Sequence, residues 1–312
     1  MKILVTGAGG YIASYLIPLL QSAGHSLRLF VNGDLSNSET RVLPSGEIGL
    51  VNGDLRDAQL CQESTKGIEA VIHLGAIVGS YDERKNMEIN YRGTLNLLRA
   101  CDFHHVPRFI FISSVSATRV SQGPYGRSKK LAEEAVRQSE LDFTIFRPTT
   151  VMGRESPGLH RLITNINRFP FIIPLVNTGK YTRHPVYVRD FVGLIAASMS
   201  NAHSFNKTYE VGGAEVISFK RLVALINQKL GNRRKILIPV PVLVFRLAAL
   251  VFERLFKMPP FTSEHVNSLT EDTRMDTRLV REDLLFNPLT LERMLEIVIA
   301  EIKAMPINQK LS

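Results

Sequence analysis

Lys2-Ile-Leu-Val-Thr-Gly7-Ala-Gly-Gly10-Tyr-Ile-Ala13 is the stretch that decides the fold. A short apolar strand, residues 2–6, runs straight into Gly7-x-x-Gly10-x-x-Ala13, and Leu16, Ile17, Leu19 and Leu20 then continue with helical spacing. Strand, glycine turn and helix in that order form the context of a dinucleotide fingerprint. The glycines permit a tight turn and let the backbone approach a pyrophosphate, whose charge lies at the helix N-terminus. Ala13 stands where a third glycine is usual, an exchange tolerated where helix and strand pack closely.

The same grammar continues to about residue 150. Apolar runs at 2–6, 26–31, 48–52, 70–74, 108–113 and 143–147 alternate with helical patterns at 11–23, 57–65, 86–103 and 125–139. That alternation predicts βαβ units and a parallel sheet. Continuous runs such as Ala70-Val-Ile-His-Leu74 and Phe109-Ile-Phe-Ile112 suit strands buried on both faces. Beyond 150 the chain turns to Pro- and Gly-rich loops with isolated helices. Residues 189–200 read as a helix and Lys207–Val211 as a strand that both return to the first domain; 218–230 and 290–303 read as amphipathic helices. The expected organisation is a doubly wound Rossmann domain of 1–150 plus about 186–212, and a smaller, mostly helical substrate region of 151–185 plus 213–312.

At 312 residues, 45% hydrophobic and 21% charged, the chain has an ordinary globular composition. Cys61 and Cys101 are too few for a disulfide framework, which points to a reducing, cytoplasmic setting. The first apolar run is too short for a secretory signal, and no metal-ligand spacing exists; His104-His105 reads as a loop pair. The net charge of +9 is uneven: residues 1–150 hold 16 Lys and Arg against 15 Asp and Glu, and residues 151–312 hold 22 against 14. Arg154, Arg161, Arg168, Lys180, Arg183 and Arg189 face only Glu155 and Asp190 in 154–190. Such a basic half attracts a phosphorylated substrate or an anionic surface. With no basic tail and no aromatic-interleaved basic stripe, nucleic acid is not the expected partner. Residues 242–256 are apolar over most of a helix surface, interrupted by Arg246, Glu253 and Arg254. A buried helix or subunit contact is the preferred reading, and a peripheral membrane-surface helix, with Arg233-Arg-Lys235 beside it, is the alternative.

Tyr125 and Lys129 lie four residues apart, hence one turn apart on a single helix face. A phenol titrates near ~10 in water, and a nearby ammonium or an oxidised nicotinamide lowers that value toward a usable base. Taken in order, these motifs resemble the extended short-chain dehydrogenases/reductases, the NAD-dependent epimerase/dehydratase-like branch. Thr6-Gly7-x-x-Gly10-x-x-Ala13 is similar to that family's nucleotide turn, with Tyr11 and Ile12 beside it. Gly53-Asp54-Leu55 resembles its adenine-contacting pair, and His73-Leu74-Gly75-Ala76 the turn against the adenosine half. Asn90-Tyr-Arg-Gly-Thr94 matches the helix whose asparagine supports the proton path. Ile112-Ser113-Ser114 stands where the family places its serine or threonine, and Arg147-Pro148 and Val186-Tyr-Val-Arg-Asp190 match later landmarks.

The resemblance implies that Tyr125 moves the hydroxyl proton, that Ser114 holds the same oxygen, and that Lys129 lowers the phenol and bonds the nicotinamide ribose. Asn90 is then a supporting group, and Ser113 is an alternative to Ser114. It implies NAD or NADP as cofactor, held by Gly7, Gly10, Tyr11, Ile12, Asn32, Asp54, Leu55, Leu74, Gly75, Ala76, Tyr125, Lys129 and Pro148. An acid at the end of the second strand would favour NAD; Val31 and Asn32 stand there instead, which mildly favours NADP. Arg41 and Asp34 in the following loop are the groups that could modify this. Arg154 and Arg183 are the candidate diphosphate contacts, and a homodimer is the expected assembly.

Two departures narrow the function. Ala117-Thr118-Arg119 replaces the Val-Tyr-Gly common in members acting on nucleotide sugars, and only ten residues separate Ser114 from Tyr125. Val115 and Ser116 occupy positions where a sugar dehydratase needs acids, so elimination chemistry is not expected. The leading expectation is an NAD(P)-dependent oxidoreductase or epimerase acting at a hydroxyl/carbonyl centre of a nucleotide-linked sugar. A ketoreductase for a lipid-like carbonyl is the alternative enzyme. Gly179-Lys-Tyr-Thr-Arg-His-Pro-Val-Tyr-Val188, and the apolar helix after Pro239-Val-Pro241, also resemble the nucleotide-binding accessory subunit of respiratory complex I. That similarity implies a non-catalytic, structural use of the cofactor.

Overall fold

The computed structural model describes residues 1–33, 48–120, 122–255, 266–267 and 269–304. The chain divides into two compact units: Met1–Pro148, Val188–Val211 and Asp276–Asn287 form the first, and Thr149–Tyr187, Gly212–Met275 and Pro288–Ser312 the second.

The first unit is built on β1 (Lys2–Thr6), β2 (Ser26–Val31), β3 (Ile48–Asn52), β4 (Ala70–His73), β5 (Arg108–Ile112), β6 (Asp142–Pro148) and β11 (Lys207–Val211). They form one sheet in the order β11-β6-β5-β4-β1-β2-β3, and every neighbouring pair is parallel. Strand order reverses between β1 and β4. Ligands of doubly wound sheets bind at such a switch point, beyond the carboxyl ends of the strands. Helices α1 (Tyr11–Ser22), α2 (Ala58–Thr65), α4 (Gly93–Phe103), α5 (Pro124–Arg137) and α7 (Val188–Ser198) complete the layers. Phe109, Phe111, Val71, Leu97, Ala132 and Ile145 share one core cluster, each large apolar side chain contributing about 2 kcal/mol of transfer free energy.

The helix expected at 86–103 is in three pieces. A short turn α3 (Glu83–Asn86) leads into a π-helical segment, Met87–Arg92, before α4 begins. One-turn π segments are frequent at functional sites, and this one carries Asn90.

Asp276–Asn287, expected in the substrate region, belongs instead to the first unit. The Tyr209 hydroxyl on β11 donates to the carboxylate of Asp283, on α10 (Arg278–Asp283), at 2.7 Å. The Asp276 backbone N–H also donates to Glu210. These bonds fasten the segment to the outermost strand.

The regular structure of the second unit is, among the described residues, mostly helical. Alongside α6 (Pro157–Asn167), α8 (Phe219–Lys229), α9 (Val242–Leu255) and α11 (Leu291–Ala304) it carries three two-stranded sheets. These pair β7 (Val151–Met152) with β10 (Val186–Tyr187), β9 (Thr182–Arg183) with β12 (Ile217–Ser218), and β8 (Ile172–Val176) with β13 (Ile236–Val240). Two-residue strands have too little length to write a period-2 pattern. The outer face of α9, for which burial or a subunit contact was the preferred reading, is exposed in the single chain at Leu243, Val244, Leu247 and Leu250.

Candidate active site

β1 delivers Thr6 to the carboxyl edge of the sheet, and the chain turns at Gly7 with φ +68°. A Cβ at Gly7 would come within 2.7 Å of the Gly75 backbone nitrogen, so only glycine lets the two loops approach. The Gly10 N–H closes the turn onto the Gly7 carbonyl at 2.9 Å. Gly10 caps α1 without any side-chain bond, and no acid lies in the first turn. The positive end of α1 is therefore open to an anion. A cavity of about 520 Å³ opens here, lined by Gly7, Gly10, Asn32, Asp54, Leu55, Leu74, Gly75 and Ala76, and also by Gly9, Phe30, Val31, Gly33, Gly53, Ile77 and Ile89. Glycine backbone, an uncapped helix end and apolar walls fit a dinucleotide. The sequence reading quotes Gly53 and Val31 without assigning them to the site, and it misses Gly9, Phe30, Gly33, Ile77 and Ile89; Phe30 and Val31 end β2, which the switch-point rule would have flagged. Tyr11, Ile12, Tyr125, Lys129 and Pro148 lie outside this lining. Asp34 and Arg41 fall outside the described residues.

Asp54 is held ionised. Bonds from Arg56, at 3.0 and 2.8 Å, keep its carboxyl below the usual range, and the Asn32 amide donates to it at 3.1 Å.

Beneath the cavity floor runs a chain of buried polar groups. The Gly75 N–H donates to Thr6 Oγ1, Thr6 Oγ1 lies 2.6 Å from His73 Nδ1, and His73 Nε2 lies 2.9 Å from Thr94 Oγ1. Thr94 donates its own hydroxyl to the Asn90 carbonyl at 2.6 Å. Each hydroxyl has one proton, so Thr94 must accept from His73 and Thr6 must donate to it, which puts the imidazole proton on Nε2. Burial, helped by the nearby Lys129 charge, pushes His73 well below its ordinary pKa and keeps it neutral. The side chain of Asn90 accepts from the Ile77 N–H at 2.7 Å and donates to the Ile77 carbonyl and to Ser128 Oγ. It thereby ties the loop after β4 to α5.

α5 carries Tyr125, Ser128 and Lys129. Gly126 lets this helix close on the 3-10 turn Val115–Thr118: a Cβ there would stand 2.4 Å from the Ser116 carbonyl oxygen. The close approach sets the half-buried Tyr125 phenol beside the Ser114 hydroxyl, which accepts from the Ser116 N–H at 3.1 Å. Burial pushes the phenol up to about 12, against the lowering effect of that hydroxyl. Lys129 is almost fully buried. Its Nζ donates to the Ile112 carbonyl at 2.7 Å and lies 4.0 Å from the Phe111 ring centroid. Burial pushes this ammonium down to about 7, and the Glu133 carboxylate opposes the fall.

The two candidate serines have separate fates. Ser113 turns its hydroxyl to Glu133, at 2.5 Å. Burial would raise that carboxyl, but bonds from Arg147, Ser113 and Arg137 outweigh it and hold Glu133 below the usual range. Ser114 faces the phenol. Glu133 was not singled out from the sequence; its mark is the Lys129–Glu133–Arg137 ladder at helical i, i+4 spacing.

The cations of 154–190 are divided. Arg189 belongs to the first unit, 5.3 Å over the Tyr15 ring. In the second unit Arg154 pairs with Glu155, and the buried Arg183 donates to the carbonyls of Thr182 and Glu271. Both cysteines are free and buried. Among the described residues no group of His, Cys, Asp or Glu could hold a metal, and no helix is long and apolar enough to cross a membrane.

Sheet order, glycine cradle and open helix end together define a Rossmann-type dinucleotide-binding protein. The chain belongs to the NAD dependent epimerase/dehydratase family, whose model matches residues 3–212. It is 30% identical over 267 residues to an uncharacterized UDP-glucose epimerase of Bacillus subtilis, covering 75% of this chain and 83% of that one. It is 28% identical over 296 residues to NADH dehydrogenase [ubiquinone] 1 alpha subcomplex subunit 9, mitochondrial, of Arabidopsis thaliana, covering 90% of this chain and 72% of the other. Its fold is shared with the UDP-glucuronic acid 4-epimerase of Bacillus cereus solved in complex with NAD, at a TM-score of 0.75 and 21% identity, over 97% of this chain and 99% of that one.

Proposed function

We propose that this protein catalyses NAD-dependent hydride transfer at a hydroxyl/carbonyl centre of a nucleotide-linked sugar, as an epimerase or dehydrogenase. The observation that carries this reading is the contact of the Ser114 hydroxyl with the Tyr125 phenol, one helical turn from a buried Lys129. Gly7, Gly10 and the first turn of α1 would hold the pyrophosphate, with Asp54 and Leu55 at the adenine half. When bound, the nicotinamide supplies the hydride exchange. Tyr125 Oη takes the substrate hydroxyl proton and returns it, while Ser114 Oγ holds the same oxygen. A phenol pushed up to about 12 is a weak base at neutral pH; positive charge on Lys129 and on an oxidised nicotinamide would bring it down. Asn90 positions this helix through Ser128 and the loop through Ile77.

NAD rather than NADP follows from Asp54. Its carboxylate is ionised, and its cationic neighbour Arg56 is already bonded to it, so Arg56 is not free to pair with a 2′-phosphate. This outweighs the mild NADP preference drawn from Asn32. Arg154 and Arg183 are the proposed diphosphate contacts. Charge reversal at both should raise KM for a UDP-sugar with NAD affinity unchanged; an unchanged KM rejects the placement. The two buried free thiols suit a reducing cytoplasm.

A second reading, cofactor binding for structure alone, is favoured by the likeness to the mitochondrial NADH dehydrogenase subunit along 90% of this chain. Tyr125→Phe separates the two. An enzyme keeps its NAD and loses turnover by about 10²–10⁴-fold. A structural protein shows no turnover with UDP-sugars before or after the substitution.

A further inference from the structure

We propose that the second unit carries a docking face for an anionic membrane surface, formed by α9 and β13. On α9, Leu243, Leu247 and Leu250 follow i, i+4, i+7 spacing and share one face. They are 65%, 55% and 55% exposed, while Ala249 on the opposite side is fully buried. Val244, Val251 and Leu255 widen the exposed strip, and Ile236 and Ile238, two residues apart on β13, add to it. An exposed apolar strip of this length on a water-facing helix marks a contact site.

Charge selects the occupant. Residues 231–255 contain Arg233, Arg234, Lys235, Arg246 and Arg254 against a single acid, Glu253. Beside β13 a cavity of about 840 Å³ is lined by Lys220, Arg234, Lys235, Asn227, Gln228 and Ile236. Lys235 is spent on the Ile166 and Phe169 carbonyls. Lys220 and Arg234 have no side-chain partner among the described residues and are available to a phosphate. Leucines edged by arginines, next to a cationic recess, match lipid chains below anionic headgroups. A second copy of the chain is a poorer occupant: a two-fold contact would set this cationic face against itself. The helix lies on the surface and does not cross, since its 14 residues span about 21 Å against the ~30 Å of a bilayer core. The face shares no residue with the dinucleotide cavity and holds whether or not the proposed reaction does.

The test is flotation of the full-length protein with phosphatidylcholine vesicles and with vesicles that also contain phosphatidylglycerol. The protein should float with the anionic vesicles at low salt and be released as ionic strength rises, because each cation near the surface is worth about fivefold in binding. Leu247→Gln with Leu250→Gln should cut the bound fraction at least about tenfold. Arg234→Glu should erase the preference for phosphatidylglycerol. All three side chains are exposed, and unchanged melting and NAD binding check that the variants fold. Absence of flotation overturns the proposal, as does equal flotation of wild type and double variant. So does a dimer in sedimentation that the double variant converts to monomer without any vesicle binding, since the face is then a protein contact.

Discussion

Two buried cations stand at opposite ends of β5, and they are treated in opposite ways. Arg108, at the first residue of the strand, donates to the carbonyls of Asp142, Ser198 and Met199 and to the hydroxyls of Thr144 and Ser204, with its guanidinium 4.5 Å over the Phe205 ring. Lys129, at the last residue, has one carbonyl, that of Ile112, and the face of Phe111. Burial lowers both, Arg108 to about 10 and Lys129 to about 7. Arg108 therefore stays charged at every physiological pH and serves as a bolt joining β5, β6 and the end of α7. Lys129 is kept near neutrality, under-bonded, at the strand end where doubly wound sheets do their chemistry. One end of the strand is arranged for stability and the other gives stability up.

Exchanging each cation for methionine tests this contrast most severely, and the two effects should have opposite signs. Arg108→Met strands five buried acceptors and should cost about 3–5 kcal/mol in denaturant unfolding, while the folded fraction keeps its kcat. Lys129→Met removes an ammonium that burial disfavours. It should raise the melting temperature at pH 7 by several degrees while turnover falls by about 10²–10⁴-fold. If Lys129→Met melts lower than wild type, the lysine is a structural group like Arg108 and the contrast fails.

The pH dependence of stability sharpens it further. Lys129 has a folded value near 7 against 10.5 for the free side chain. Below about 7 both states carry the proton and the burial penalty is present in full. Between about 7 and 10.5 the unfolded chain binds the proton more tightly, so folding must release it. Stability then increases with pH through that window, since the unfolded state binds more protons. The rise has an upper bound of about 5 kcal/mol and should be absent in Lys129→Met. Arg108→Met should retain it. Urea unfolding at a series of pH values between 7 and 10 measures all three proteins, and a wild-type curve that is flat there would sink the argument.

Much of this was legible from the sequence for one physical reason. Parallel strands covered on both faces are written as unbroken apolar runs, so the strand core of the sheet could be read from Lys2–Thr6, Phe109–Ile112 and their like. Gly7 was legible because only glycine fits where two loops nearly touch. Other features leave no periodic mark. The π turn at Met87–Arg92 has the same side-chain pattern as an α-helix of that length. The paired two-residue strands of the second unit are too short for alternation. The Thr6–His73–Thr94 chain is three ordinary residues until the sheet and α4 bring them together. Which serine faces Tyr125 also depends on the twist after Ile112, and local spacing is blind to it.

That pair supplies the smallest effect and a test inside a single dipeptide. Ser113 and Ser114 are chemically identical neighbours, one bonded to a buried carboxylate and one beside the phenol. Ser113→Ala removes one donor from Glu133, which keeps Arg137 and Arg147 at 2.5 and 2.6 Å. The loss should be about 1.5–3 kcal/mol of stability, the range for a bond to a charged group, with kcat within a few fold of wild type. Ser114→Ala removes the cap on the Ser116 N–H, which should cost about 1 kcal/mol, less than Ser113→Ala, and should lower kcat by about 10²-fold or more. Thermal melts and UDP-sugar kinetics on the two variants read both axes. Should Ser113→Ala be the one that loses turnover, the hydroxyl next to Tyr125 is not the working group. The chemistry would then run through the Glu133 cluster, on the stability side of the comparison.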